Sequence, residues 1–376
     1  MRSKVITFVL LSTFLLLPVS LQARQANPID VVFLSPDDSR FWQMVGGFMH
    51  AVAEDLEMDL TIHTDLEKNR FSYRELLGKV LNQPNLPDYI VFMCKEKVTH
   101  DMLRMIGAAG IKAFTFNTDV PDEEIDQTGK PREKMDHWIG HLSPDNRSAG
   151  FRLATRLYDR FQERNGSSPN MLVGLSGTRD SSAAIDRNTG LSAMLETKPS
   201  MSAQLLFADW SEQEAQAKIR RLIDRYPSLD LVWSASDGMA LGAMTGAMEK
   251  GLKPGEDILV GGIDWEQRTL TEIESGRMEL SLGRHFMGGG LALLLIRDYD
   301  AGFDFADEGS VSLSYQFEEV NRENLGAVRQ VLDRERWGQI DFQQFSQVYN
   351  DALRDGSVSA SSLLDDFMDA LSPDFR

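Results

Sequence analysis

The sequence predicts an α/β protein of two doubly wound parallel-sheet lobes with a hinge between them and a helical C-terminal extension. Three observations carry this. Apolar runs of strand length alternate with segments of helical period along most of the chain. The alternation pauses at Asn165-Gly166-Ser167-Ser168-Pro169 and then starts again. The chain has 376 residues, more than one hydrophobic core comfortably serves.

Taken in order, the first series opens with a strand over 29–34 and a helix from about Phe41, with Trp42, Val45, Phe48, Met49 and Val52 on its buried face and Ser39 placed to cap it. Strands follow at 60–63, 89–94 and 112–117, separated by helices at 72–81 and 99–109, the latter closed by Gly110. Residues 118–137 are polar and read as a surface excursion. A strand at 138–142 leads into a helix opened by Ser143-Pro144-Asp145. The second series has strands at 171–176 and 204–208, with helices at 182–195 and 211–226. Its clearest unit is LDLVWSASDGMALGAMTGAMEKGLKPGEDILVGGIDW, residues 229–265, a strand-helix-strand pattern. Such a crossover brings Asp237 and Asp264 to one carboxyl edge of one sheet.

Beyond it lie an extended piece at 280–283, a helix at 288–299 and a strand at 311–317. The first lobe is therefore expected over 28–142, completed by 287–310, and the second over 143–286. Crossings are expected near 143–169, 277–286 and 311–320, with 165–169 the favoured passage in the first of these. Residues 321–376 form the extension, whose three apolar stripes are expected to pack on the first lobe.

Composition narrows the partners. A net charge of −18 argues against nucleic acid and against an anionic membrane surface. Residues 1–23 carry Arg2 and Lys4, then an apolar run too short to span a bilayer, then Leu21-Gln22-Ala23. That is the form of a signal peptide cleaved near Ala23, and it places the mature chain in the periplasm. The single cysteine, Cys94, lies in an apolar run and reads as a buried thiol without a disulfide partner. Six scattered histidines give no ligand spacing, so neither metal nor cofactor is expected.

The carboxyl edges of the two sheets offer Asp38, Phe41, Trp42 and Asn117 from the first half and Arg187, Asp237 and Asp264 from the second, with Arg284 on a crossing. Phe41 and Trp42 either pack the lip or touch a ligand, and Asn117 either caps a turn or binds. Facing one another, these groups suit a sugar or polyol: rings stack on its CH face while carboxylates and guanidinium groups satisfy hydroxyls. The chain has no GxSxG elbow and no phosphate loop, and Gly288-Gly289-Gly290 sits in a helical pattern. Binding is therefore expected rather than catalysis, with a glycoside hydrolase the lesser alternative.

The succession VVFLSPDDSRFW, FTFNTD, VGLSGTRDSSAAIDRNTG, VWSASDGMALGAMTGAMEKG and ILVGGIDW resembles the type I periplasmic sugar-binding proteins of the ribose- and galactose-binding class, over roughly 29–317. The resemblance implies that Phe41 and Trp42 stack on the ligand, and that Asn117, Arg187, Asp237 and Asp264 hold its hydroxyls. It also implies a monomeric carrier that closes on its ligand and delivers it to an ABC importer. WIGHLSPDNRSAGFRLA, SDGMALGA and GRMELSLGRHF are in addition similar to the LuxP-type autoinducer-2 receptors, which implies that Arg187 and Arg284 grip the ligand and that a membrane sensor kinase or cyclase is the partner. Asp264 stands where that group has tryptophan. A carboxylate repels an anionic borate ester, so a neutral sugar is favoured.

Overall fold

A computed structural model describes residues 28–354, 360–373 and Phe375. The expected signal peptide lies outside the described residues. The first sheet is built from β1 (Ile29–Ser35), β2 (Met58–Thr64), β3 (Tyr89–Phe92), β4 (Lys112–Phe116), β5 (Trp138–Pro144) and, far downstream, β11 (Ser312–Tyr315). Its strand order is β11-β5-β4-β3-β1-β2, parallel throughout. Helices α1 (Arg40–Asp55), α2 (Arg70–Leu81), α3 (Thr99–Ala108) and the short α4 (Asp122–Thr128) lie between its strands.

The second sheet follows the same scheme. It takes β6 (Met171–Ser176), β7 (Ser202–Phe207), β8 (Leu231–Ser234), β9 (Leu259–Ile263), β10 (Leu280–Gly283) and β12 (Glu318–Val320), in the order β12-β10-β9-β8-β6-β7. All neighbours are parallel except the edge strand β12, which runs against β10. Helices α5 (Asn146–Asn165), α6 (Ser182–Glu196), α7 (Glu212–Arg225), α8 (Asp237–Glu249) and α9 (Gln267–Ser275) cover it, while α10 (Gly288–Asp300) packs on α1 of the first lobe. β3, β8 and β9 are buried along their whole length, as parallel strands covered on both faces must be.

Three crossings join the lobes: Pro144 to Asn146, Gly283 to His285, and Tyr315 to Glu318. Asn165-Gly166-Ser167-Ser168-Pro169 is not one of them. Gly166, at φ 66°, is the left-handed cap of α5, and that helix already packs against β8, β9 and α6 of the second lobe. The strand expected over 311–317 is β11, which ends at Tyr315 in the first sheet, and β12 follows it in the second. The excursion over 118–137 holds α4 and, after it, Arg132, whose guanidinium meets both oxygens of Asp304 at 2.6 and 2.9 Å. Ser39 stands at the N-cap of α1, but its hydroxyl makes no capping bond.

In the extension, α11 (Leu325–Val331), α12 (Arg334–Trp337) and α13 (Ala360–Leu371) do not pack on the first lobe alone, as the stripes suggested. α12 and α13 do, and Trp337 sits edge-on to Phe48 at 5.4 Å. α11 instead lies on α9 of the second lobe, because its partner there is charged: Arg329 pairs with Glu274 at 2.7 Å.

Candidate functional site

Parallel strands ending at a common edge deliver their next residues to one place. Both sheets point that edge at the gap between the lobes, and the crossings pass through its floor. Arg187, on α6, reaches into the gap with 3% exposure. Its Nε donates to Asn146 Oδ1 at 2.8 Å and its Nη1 to the Ala235 carbonyl at 2.6 Å. The guanidinium lies 5.8 Å from the Trp210 ring and 5.4 Å from Phe317. Among the described residues Nη2 has no acceptor, which leaves a charged donor facing the gap.

Asp264 follows β9 at φ 139°, a backbone position that L side chains rarely adopt. Its Oδ1 is 4.0 Å from Arg187 Nη1 and 3.3 Å from His285 Nε2. Burial pushes its carboxyl well up from the ordinary range, and Arg187 pulls it part of the way back. The same burial, with the Arg187 charge, drives His285 well below the usual imidazole range, so the ring is neutral. Nδ1 of this ring is buried without a partner. The opposite face of the ring is stacked by Phe41 from the first lobe, with centroids 4.5 Å apart and planes 23° from parallel.

Two more buried atoms at strand ends lack partners: Asn117 Oδ1, after β4, and Ser176 Oγ, at the end of β6. Asn117 holds φ at 72° and donates its backbone N–H to Leu142, so the left-handed turn, not the side chain, ends the strand. An unpaired buried acceptor costs about 1–3 kcal/mol. Asn117 and Ser176 stand at strand ends and His285 beside Asp264, so each leaves a buried polar atom to be satisfied.

The remaining expected residues lie apart from this set. Trp42 is buried behind Phe41, edge-on to it at 5.1 Å and to Phe116 at 6.0 Å, which is lip packing. Asp38 is exposed and paired with Lys68 at 2.6 Å. Asp237 is fully buried behind Asp264, where its oxygens accept from the Glu266 N–H at 2.9 Å and from Ser281 at 2.7 Å, so it fastens the loop that carries Asp264. Arg284 turns away from the gap, contrary to the two-arginine grip expected: at φ 72° its side chain leaves the opposite side of the crossing from His285. There it bonds the Gln316 carbonyl at 2.7 Å and Asp365 at 2.6 Å. Sequence reasoning missed His285, Phe317, Trp210 and Asn146. The first two sit on crossings with no periodic pattern. Among the described residues no group of three His, Cys, Asp or Glu could hold a metal ion.

The lobes touch across the gap. Ser182 Oγ donates to the Asp119 carbonyl at 3.2 Å, and Arg70 lies 3.9 Å from Asp180. Near this contact Asp186, on α6, is raised to about 6 by burial and by the negative charge of Asp119, with Arg147 opposing and Asp122 and Asp145 adding smaller repulsions. The folded protein thus holds this proton more tightly than the unfolded chain, in which the carboxyl titrates near 3.8. Stability contributed by Asp186 is accordingly full below that value and lost as pH rises to about 6. Urea midpoints measured from pH 4 to 7 should fall over that window, and Asp186→Asn should flatten the fall; an identical slope in the variant contradicts the assignment.

A family model described as a periplasmic binding protein domain matches residues 29–292. The chain belongs to the periplasmic binding protein family. Within that family it is similar to a periplasmic sugar-binding protein from Pseudomonas fluorescens, at 28% identity, a TM-score of 0.76, and coverage of 89% of this chain and 98% of that one. The arabinose-transporter binding component of Shewanella sp. ANA-3 shares the fold at 19% identity and a TM-score of 0.69, over 81% and 96% of the two chains. Among curated relatives, the galactofuranose-binding protein YtfQ of Escherichia coli is 31% identical over 27% of this binding protein and 33% of its own length. The transcriptional regulator CelR of Thermobifida fusca is 25% identical over 45% and 48%. The binding protein thus spans less than half the length of either curated relative.

Proposed function

We propose that this periplasmic binding protein captures a small neutral sugar or polyol between its lobes and passes it to a membrane ABC importer, without chemical turnover. The observation that carries this is that Asn117 Oδ1 and Ser176 Oγ, at strand ends of the two lobes, and His285 Nδ1, on the residue that meets Asp264 beside Arg187, are buried without partners. Hydroxyls donate to the acceptors and accept from Arg187, while Phe41 and Phe317 flank His285 and supply apolar surface for ring CH groups. The ligands named for the similar proteins, arabinose and galactofuranose, belong to the same chemical class. Residues 1–23 act in this reading as the export signal to the periplasm, and the carrier works as a monomer.

A second reading is a ligand-sensing subunit for a membrane sensor kinase or cyclase. It is favoured by the extension, which lies on both lobes and so presents a surface that closure reshapes.

The test is a thermal-shift panel of L-arabinose, D-galactose, D-allose, glycerol, and autoinducer-2 with and without borate. A sugar present at a hundred times its Kd stabilises by about 2.7 kcal/mol, which for lobes of this size raises Tm by roughly 5–10 °C. A response to a neutral sugar supports the proposal. A response confined to borate-loaded autoinducer-2, or none at all, overturns it.

A further inference from the structure

The hinge of this protein is spanned from outside by the extension, which is fastened to both lobes. Its foot on the second lobe is α11: Arg329 holds both Glu274 oxygens of α9, at 2.9 and 2.7 Å, and Arg322 Nε donates to the Ile273 carbonyl at 3.2 Å. Its foot on the first lobe is broader. Gln343 bonds the Asp55 carboxylate at 3.1 Å and the Asp55 carbonyl at 2.8 Å, Tyr349 donates to the Leu56 carbonyl at 3.2 Å, and Asp298 of α10 accepts from the Gln347 N–H at 3.0 Å. α13 buries Leu364, Phe367 and Leu371 completely, with Phe367 5.4 Å from Phe342.

Between the feet, one side chain joins the extension to two of the three crossings. Arg284, 2% exposed on the second crossing, donates through Nε to the Gln316 carbonyl of the third crossing and through Nη1 to Asp365 of α13. Holding a non-glycine residue at φ 72° costs on the order of 1 kcal/mol, and the two bonds fix it there. The pair borders an open cavity of about 450 Å³ that also takes in Arg152, Arg156, Glu318 and Phe375. Water therefore reaches Asp365, whose side chain is 41% exposed, and can replace it when the helix shifts.

We propose that the extension is a clasp on the hinge, with the Arg284–Asp365 pair as its catch, and that it biases the ligand-free protein toward the arrangement with the lobes in contact. The inference deepens the proposed function by assigning control of closure. It rests on that reading for the lobe movement, and not on the identity of any ligand. A preclosed protein loses less affinity to the fraction of molecules that are open, so the clasp tightens binding without touching ligand.

The test needs no ligand. Spin labels at Lys79→Cys on α2 and Arg221→Cys on α7, both exposed, report lobe separation in the full chain, and Cys94, 3% exposed, stays unlabelled. Asp365→Asn is expected to add a population lengthened by several ångströms, and Asp365→Glu to restore the original distribution. Arg329→Glu should add the same population, and joining it to Glu274→Arg should remove it again. The three positions these variants change, Asp365, Arg329 and Glu274, are solvent-accessible, so folding is retained and checked by melting. Distributions for Asp365→Asn and Arg329→Glu that superimpose on the unaltered protein overturn the clasp. A silent sugar panel leaves these distances untouched, so the two proposals fail separately.

Discussion

Replacing Arg187 with methionine should remove ligand-induced stabilisation and lower the melting midpoint of the ligand-free protein at the same time. Arg187 touches the helix after the first crossing, the end of β8 and the loop after β9, through Asn146, Ala235 and Asp264. Methionine fills similar volume but leaves Asn146 Oδ1 and the Ala235 carbonyl without their donor and a buried carboxyl without its counter-charge. Breaking a buried charged contact in this way costs about 3–5 kcal/mol. Asp264 then takes up a proton, because burial already pushes it upward and Arg187 was the main opposing influence. A charge-assisted bond to a hydroxyl contributes about 1.5–3 kcal/mol, so titration calorimetry with a sugar that stabilises the parent protein should show Kd weakened roughly 10- to 100-fold. Unchanged affinity would remove Arg187 from the site.

Gly150→Ala should strongly destabilise the second lobe, although it adds one methyl group. A Cβ at position 150 would lie 2.0 Å from the Arg187 carbonyl oxygen, and one at Gly190 would lie 2.0 Å from the Arg147 carbonyl oxygen. The two glycines let α5 and α6 pack backbone to backbone, which sets the depth at which Arg187 enters the gap. Since the obstacle is backbone, no rotamer change relieves it, and the helices must separate. Overpacking of this kind costs about 1–3 kcal/mol or more, against a helix-propensity gain of about 1 kcal/mol for replacing glycine with alanine. The prediction is a lower urea midpoint together with weaker sugar binding. A midpoint equal to or above that of the parent would mean the propensity term wins and the close approach is soft.

The sheets were legible because a parallel strand covered on both faces must be apolar throughout. Runs such as 229–235 and 258–263 can satisfy that only as interior strands, and they are β8 and β9. The exact place of the first crossing was not legible. Pro144-Asp145-Asn146 reads as an ordinary helix start, and Asp145 does cap α5 by accepting from the Ser148 N–H at 2.8 Å, so nothing local marks it as the passage between lobes. Asn165-Gly166-Ser167-Ser168-Pro169 has the composition of a linker and serves only to end a helix. Arg187 and Asp264 lie together, with Phe41 on His285 beside them, because strand ends are readable from the alternation. Arg284 was read to the right segment and the wrong side, since the sign of φ at one residue decides which way a side chain leaves. His285 could not be read at all, because its neutrality and its empty Nδ1 are made by neighbours distant in the chain.

The order in which the lobes exchange the chain bears on biogenesis. The amino-terminal half of the molecule is left unfinished for most of translation: Tyr89 waits for Asp300, Arg132 for Asp304 and Asp55 for Gln343, the last pair 288 positions apart. Pairings of such sequence separation form slowly, because the intervening loop must close before any contact rewards it. A nascent chain that ends before Gly288 therefore exposes the apolar side of α1 that α10 and the extension later cover. Whatever escorts the polypeptide before its last segments emerge meets an open sheet rather than a finished domain.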